Sequence, residues 1–128
     1  MSEEPKQYAL RVTPRAERDI EAAIVHFADT AGFEIAQVWR GRLFEEIASL
    51  ATNPARFPIA PEMPYLRGFK GEFRQLVWRR TVSSVAYRII FWIEEEGYDG
   101  PTVSVAYVRH GSAKPITRKD VRDLQGND

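Results

Sequence analysis

Hydrophobic residues recur with two different periods along the chain, and the change of period separates a helical part from a strand part. From Thr13 to about Thr52 they recur every three or four residues, as on the buried side of amphipathic helices. Gly32 interrupts this pattern and Asn53-Pro54 ends it, because glycine and proline break helices. The sequence therefore predicts an antiparallel helical hairpin. Its predicted buried positions are Ile20, Ile24, Phe27, Ala31, Ile35, Trp39, Leu43, Ile47 and Leu50.

Four other segments show the alternation, or the β-branched and aromatic content, of strands. Tyr8–Val12 alternates apolar and polar residues and leads into Thr13-Pro14, a good N-cap followed by a good first helical residue. The other three segments have short connections that favour antiparallel hairpins; they are Phe73–Arg79, Val85–Ile93 and Thr102–Arg109. In the last of them, Val103, Val105 and Tyr107 alternate with Ser104 and Ala106.

The remaining segments complete the predicted domain. Residues 53–71 contain four Pro and two Gly, which indicates an irregular crossing segment. A short helix is predicted for Thr117–Gln125 within the polar residues 111–128. The order β-α-α-β-β-β predicts an α+β fold, in which the helical hairpin packs on one face of a small, mainly antiparallel sheet. The 128 residues suit a single domain, with residues 1–6 and 112–128 expected at its periphery.

Composition excludes several kinds of protein. The chain has no Cys and only two His, at positions 26 and 110, so neither a disulfide framework nor a metal site is expected. We expect no cofactor. The longest apolar run, Ile89–Ile93, has five residues, far fewer than the roughly 20 that a membrane helix needs. The polar, acidic start does not resemble a signal peptide, and we expect a cytoplasmic protein.

The charges cancel in total but are segregated along the chain. There are 18 basic and 18 acidic side chains, and the net charge is zero. Residues 65–92 carry a net charge of +5 and residues 109–119 a net charge of +4, whereas residues 93–108 carry −4. Such clusters can attract a polyanion or an acidic partner, although a zero total weakens nonspecific binding to nucleic acid.

Several short motifs, occurring together and in order, resemble the RelE/ParE superfamily of bacterial toxins. The resemblance covers about residues 8–113. The motifs that carry it are Val12–Ile20, Leu50–Pro54, Pro61-Glu62, Phe73–Leu76, Tyr87–Phe91 and Val108–Gly111. The fold that this family implies agrees with the order of elements predicted above.

The resemblance implies a toxin of a type II toxin–antitoxin pair, with an adjacent and often acidic antitoxin as its partner. Two branches of the superfamily imply different activities. The RelE-like branch cuts messenger RNA, usually on the ribosome. The ParE-like branch inhibits DNA gyrase and needs no nuclease site. Neither branch implies a metal or a membrane partner.

Cleavage of RNA without a metal needs a base, cations that stabilise the phosphate in the transition state, and an acid. Glu62, Arg74, Arg88 and His110 could supply these groups. The resemblance implies a general base in the loop of Glu62, phosphate-binding arginines at positions 74 and 88, and an acid near His110. Alternatively, Glu62 is an ordinary surface residue, Arg74 lies at the rim of the sheet, and His110 bonds to a loop. Further candidates for phosphate binding are Arg67, Lys70 and Arg109.

Arg88 is the strongest of these candidates because it lies within a hydrophobic strand. It shares one face of that strand with Ile90 and Trp92. An arginine among apolar neighbours needs an anionic partner. The partner could be a substrate phosphate held by the guanidinium group, or an acidic side chain of the protein itself.

We favour an mRNA endoribonuclease over a gyrase inhibitor, since a base, cations and an acid are all available. A third alternative is an inert or regulatory member that only binds its antitoxin. The zero net charge favours the gyrase inhibitor. The nuclease hypothesis requires that Arg74, Arg88 and His110 share one open face, with Glu62 at its edge. The sequence leaves this question open, because the connection between the last two strands permits several registers.

Overall fold

The computed structural model describes residues 6–66, 69, 71–97 and 100–127. Arg67 and Lys70, two of the predicted phosphate-binding residues, lie outside the described residues. The elements are β1 (Ala9–Val12), α1 (Pro14–Ala31), α2 (Phe33–Ala48), β2 (Phe73–Arg79), β3 (Ala86–Gly97), β4 (Gly100–His110) and α3 (Arg118–Asn127). Short 3-10 turns occupy Ser49–Ala51, Pro54–Arg56 and Met63–Tyr65.

The four strands form one mixed sheet in the order β1-β4-β3-β2. β1 is parallel to β4, and the other two pairings are antiparallel. In the β3–β4 pairing, Arg88 lies opposite Arg109 and Tyr87 lies opposite His110. Directly opposed residues point to the same face of a sheet, so the register assigns Arg109 to the face of Arg88 and His110 to the other face.

A β-bulge at Ala106 changes the alternation of β4. Ile90 pairs with Tyr107 but Phe91 pairs with Val105, so that one residue of β4 has no counterpart on β3. Val105 consequently packs with the helical hairpin, and Tyr107 packs on the opposite face. The simple alternation predicted for Val103, Val105 and Tyr107 is therefore wrong at Tyr107, because a bulge reverses the face of every later residue.

Thr13 joins β1, β4 and α1. Its side-chain hydroxyl accepts a hydrogen bond from the backbone N–H of Ala16 at 3.1 Å, which caps α1. The same hydroxyl donates to the carbonyl of Ala106 at 3.2 Å, and Thr13 is fully buried. Its own backbone N–H donates to the carbonyl of Val105. One buried residue thus fixes where the first helix begins relative to the bulged strand.

The two faces of the sheet carry separate hydrophobic clusters. On the helix face, α1 and α2 pack through residues such as Ile20, Trp39 and Leu43. On the second face, the crossing segment and α3 pack around Phe73 and Ile90. The buried residues contributed by the crossing segment and the C-terminal residues are Ala60, Leu66, Ile116, Val121 and Leu124.

This α+β arrangement, with a helical hairpin on a mainly antiparallel sheet, confirms the predicted fold class. Three details differ from the expectations. The second helix ends at Ala48 and continues as a 3-10 turn. The crossing segment pairs with the sheet through a bridge between Ile59 and Arg74. The C-terminal residues, expected at the periphery, bury Ile116 and Leu124 in the second cluster.

No helix in the described part of the chain is long and apolar enough to span a membrane.

Candidate functional site

Glu62 of the crossing segment and Arg88 of β3 form a bidentate ion pair. The Arg88 Nη1 and Nη2 atoms donate to the two carboxylate oxygens of Glu62 at 2.8 and 2.6 Å. Both side chains are removed from solvent, with 5% of Glu62 and 13% of Arg88 exposed. The anionic partner predicted for Arg88 is therefore present within the protein itself.

Two further hydrogen bonds complete this cluster. The Arg88 Nε atom donates to the side-chain oxygen of Gln75 at 2.7 Å. The backbone N–H of Ile116 donates to Glu62 at 3.1 Å. The cluster thus links the crossing segment, β2, β3 and the residues before α3. Gln75 was not among the predicted site residues, because its position opposite Ile90 follows only from the strand register.

The environment of Glu62 opposes the role of a general base. Burial alone raises the pKa of this carboxyl, but the hydrogen bonds from Arg88 and from the N–H of Ile116 outweigh burial and lower its pKa below the ordinary value. A carboxylate with a lowered pKa is a weaker base. Arg88 in turn uses three of its five N–H donors within the protein. Only two N–H donors of its guanidinium group are left for a phosphate.

Arg109 lies on the same face as Arg88 and contacts the C-terminal helix. Its Nη1 atom is 3.6 Å from a carboxylate oxygen of Asp120, and its guanidinium group lies 5.8 Å from the centre of the Tyr107 ring. Burial raises the pKa of the Tyr107 hydroxyl. Neither this hydroxyl nor Arg109 Nη1 has a hydrogen-bond partner among the described residues.

Arg74 lies on the helix face and holds the crossing segment. Its Nη1 atom donates to the carbonyl of Phe57 at 2.7 Å and to that of Ala55 at 3.3 Å. Its Nη2 atom is 3.8 Å from the exposed carboxylate of Glu72. Arg74 therefore stabilises the backbone conformation of residues 55–57.

His110 lies at the end of β4 and bonds to the loop that follows. Its Nδ1 atom accepts a hydrogen bond from the backbone N–H of Ser112 at 3.1 Å and lies 2.7 Å from the Ser112 hydroxyl. Its ring contacts Tyr87, with ring centres 5.5 Å apart. His110 is half-buried and faces the helical hairpin, away from Glu62 and Arg88.

The structure thus brings together only some of the predicted residues. Glu62 and Arg88 are in direct contact, and Arg109 lies beside Arg88 on the second face. Arg74 and His110 lie on the helix face, on different strands. In the described residues, no group of three or more His, Asp or Glu side chains could hold a metal ion. The single open face that the nuclease hypothesis requires is not formed by these four residues.

Comparison with known proteins relates this chain to one family and to solved structures of similar fold. Residues 10–115 match the model of the family described as ParE toxin of type II toxin–antitoxin system, parDE. A solved structure described as "Chromosomal ParDE TA system from P. aeruginosa" is similar, with a TM-score of 0.60 and 17% sequence identity. The similarity covers 82% of this chain and 97% of the other chain. No curated protein matches the sequence.

At 17% identity, the similarity to the solved structure supports the fold. The family match spans most of the chain and includes α1, α2 and all but the first residue of the sheet. The chain belongs to the family of ParE toxins of type II toxin–antitoxin systems.

Proposed function

We propose that this chain is the toxin of a toxin–antitoxin pair, that a cognate antitoxin neutralises it, and that it inhibits DNA gyrase by protein contact without cleaving RNA. The antitoxin is a partner in the system described for the similar solved structure. Gyrase inhibition is the activity that the resemblance implies for the ParE-like branch.

The positions of the proposed catalytic groups support gyrase inhibition over RNA cleavage. Glu62 and Arg88, the proposed base and phosphate-binding arginine, neutralise each other in a buried ion pair. The proposed acid, His110, points to the opposite face. A nuclease needs its base, cations and acid arranged around one phosphate. The zero net charge also suits a protein target better than a polyanion.

Supercoiling of relaxed plasmid DNA by purified gyrase tests the proposal. We expect the purified chain to inhibit supercoiling, and we expect ribosome-bound messenger RNA incubated with the same preparation to keep its original ends. Because the proposal gives His110 no part in the activity, His110→Ala should inhibit gyrase as well as the unaltered chain does.

RNA cleavage without inhibition of gyrase would contradict the proposal. New RNA ends that disappear with His110→Ala, together with unimpaired supercoiling, would support the endoribonuclease and contradict gyrase inhibition. Circular dichroism of the variant provides the control for folding.

A further inference from the structure

Two turns lie side by side at one end of the sheet. Arg79, at the end of β2, pairs with Ala86 at the start of β3. The backbone N–H of Gly111, directly after β4, donates to the carbonyl of Ala86 at 2.7 Å. Because neighbouring strands lie about 4.8 Å apart, the backbones of Arg79 and Gly111 are separated by about 10 Å. The turn between β2 and β3 and the turn after β4 therefore form one continuous surface.

This surface carries cations and hydroxyl groups but no acidic side chain. Its cations, which we call the basic end of the sheet, are Arg79, Arg80 and Lys114. Its hydroxyl residues are Thr81, Ser83, Ser84 and Ser112. Residues 79–86 and 110–116 contain neither Asp nor Glu. Arg79 and Lys114 are exposed, and Arg80 is half-buried.

The basic end differs from the other arginines of β2, β3 and β4 in having no acidic partner. Arg74, Arg88 and Arg109 each form an ion pair with a carboxylate. In the part of the chain that the structure describes, no ion pair involves a cation of the basic end. The positive charge of these three side chains is thus available to a ligand.

Hydrogen bonds within the turn between β2 and β3 hold Arg79 in place. Its Nη1 atom donates to the carbonyl of Ser84 at 2.7 Å. The backbone N–H of Ser84 donates to the carbonyl of Thr81 at 3.1 Å, and the hydroxyl oxygens of these two residues are 2.6 Å apart. The other N–H donors of Arg79 remain for a ligand. A side chain that is already ordered also loses less entropy on binding.

We propose that the basic end contacts phosphates of the DNA that gyrase holds, so that the toxin binds the gyrase–DNA complex more tightly than gyrase alone. This inference rests on the proposed function, which supplies gyrase and its DNA substrate. Arginine, lysine and hydroxyl side chains contact phosphate oxygens without regard to base sequence. Duplex DNA carries about six phosphate charges per 10 Å of its axis, so the basic end spans several of them.

This contact is compatible with a chain of zero net charge. Three phosphate contacts add only a small, salt-dependent contribution to affinity, so the chain should bind free DNA weakly. When gyrase holds both the toxin and the DNA, the same contact forms within one complex, where the local concentration of DNA is high. The toxin can therefore recognise gyrase through protein contacts and gain affinity from the bound DNA.

Isothermal titration calorimetry with gyrase, in the presence and absence of a linear DNA fragment, tests this contact. We expect the full chain to bind the gyrase–DNA complex about tenfold more tightly than gyrase alone at about 50 mM salt. This ratio should fall towards one at about 200 mM salt, because three phosphate contacts make affinity fall with a logarithmic slope of about −2.7.

A matched pair of double variants assigns the effect to the basic end. Arg79→Gln/Arg80→Gln removes two of its three cations. Arg18→Gln/Arg42→Gln removes two exposed arginines of the helical hairpin and changes the net charge equally. We expect the first variant to retain less than about a threefold gain from DNA, with unchanged affinity for gyrase alone. The second variant should retain the full gain. Circular dichroism shows whether both variants are folded.

Several results would overturn this inference. Equal affinity of the unaltered chain for gyrase with and without DNA would do so and leave gyrase inhibition standing. An equal loss of affinity for both forms in Arg79→Gln/Arg80→Gln would also do so, and it would assign the basic end to an acidic protein surface.

The remaining results separate this inference from the proposed function. If Arg79→Gln/Arg80→Gln fails to fold, the unaltered chain decides the question, and a gain from DNA that is the same at both salt concentrations would overturn the contact. If the unaltered chain neither binds gyrase in either form nor inhibits supercoiling, the proposed function is wrong, and this inference with it.

Discussion

At the scale of single residues, the pairing of Glu62 with Arg88 is the feature that most changes the functional interpretation. Each residue, considered alone, is a reasonable member of an RNA-cleaving site. Together they form a buried, bidentate ion pair, whose hydrogen bonds also reach Gln75 and Ile116. The pair therefore connects four segments of the chain and has a structural role.

Removing one charge from this pair should destabilise the protein. Glu62→Gln leaves Arg88 buried without a counter-ion, and we expect the free energy of unfolding to fall by about 3 kcal/mol. Urea denaturation followed by circular dichroism measures this change. Glu72→Gln, which removes an exposed carboxylate near Arg74, is the matched control and should cost less than about 1 kcal/mol. Equal effects of the two variants would contradict a structural role for the buried pair.

The same pair gives the stability a dependence on pH. The pKa of Glu62 is lower in the folded protein than in the unfolded chain, so its contribution is complete above the ordinary pKa of about 4.3. The contribution is lost as the pH falls through the lower, folded-state pKa. The difference in stability between the unaltered protein and Glu62→Gln should therefore shrink as the pH falls below the ordinary carboxyl pKa of about 4.3.

At the scale of elements, α3 completes the second face of the sheet. Its buried residues Val121 and Leu124 pack with Ile116 in the second cluster, and Asp120 interacts with Arg109 of β4. Thr117 caps this helix, since its side-chain oxygen accepts a hydrogen bond from the N–H of Asp120. The helix thus belongs to the core of the molecule.

Truncation of a buried side chain of α3 measures how much this helix contributes to the stability of the protein. We expect Leu124→Ala to lower the free energy of unfolding by about 3 kcal/mol, because it removes a side chain that is 4% exposed and leaves a cavity. Lys119→Ala, at an exposed position of the same helix, should leave the midpoint of thermal unfolding nearly unchanged. A peripheral helix would give the same small effect for both variants.

The elements themselves could largely be predicted from the sequence. Thr13-Pro14 and Gly32 mark the ends of α1 by local chemistry, and Phe73–Arg79 is the range observed for β2. The geometry of the candidate site could not be predicted, because it depends on contacts between distant segments. The residue types of β4 do not reveal the bulge at Ala106. The bulge nevertheless moves His110 to the opposite face of the sheet.

At the scale of the whole molecule, the two hydrophobic clusters share the same sheet. Ile89 and Phe91 of β3 pack on the helix face, while Ile90 between them packs on the second face. Disruption of β3 therefore exposes both clusters at once. We infer that the described part of the chain unfolds as one cooperative unit.

The three tryptophans can test this cooperativity. Trp39 and Trp78 belong to the cluster on the helix face, and Trp92 packs against the other cluster. In Trp92→Phe, fluorescence reports on the helix face, and in the double variant Trp39→Phe/Trp78→Phe it reports on the second face. We expect the fluorescence and circular dichroism midpoints to coincide in urea within each variant. Separate midpoints would show that the two faces unfold independently.

The parallel pairing of β1 with β4 has a consequence for synthesis of the protein. Leu10 lies beside Val103 and Val12 beside Val105, so the ribosome makes the first strand long before the strand that it joins. Contacts between residues so far apart in sequence form slowly and require a large loop to close. A nascent chain therefore carries β1 without its partner strand until β4 has left the ribosome, and the sheet reaches its full width only after that point.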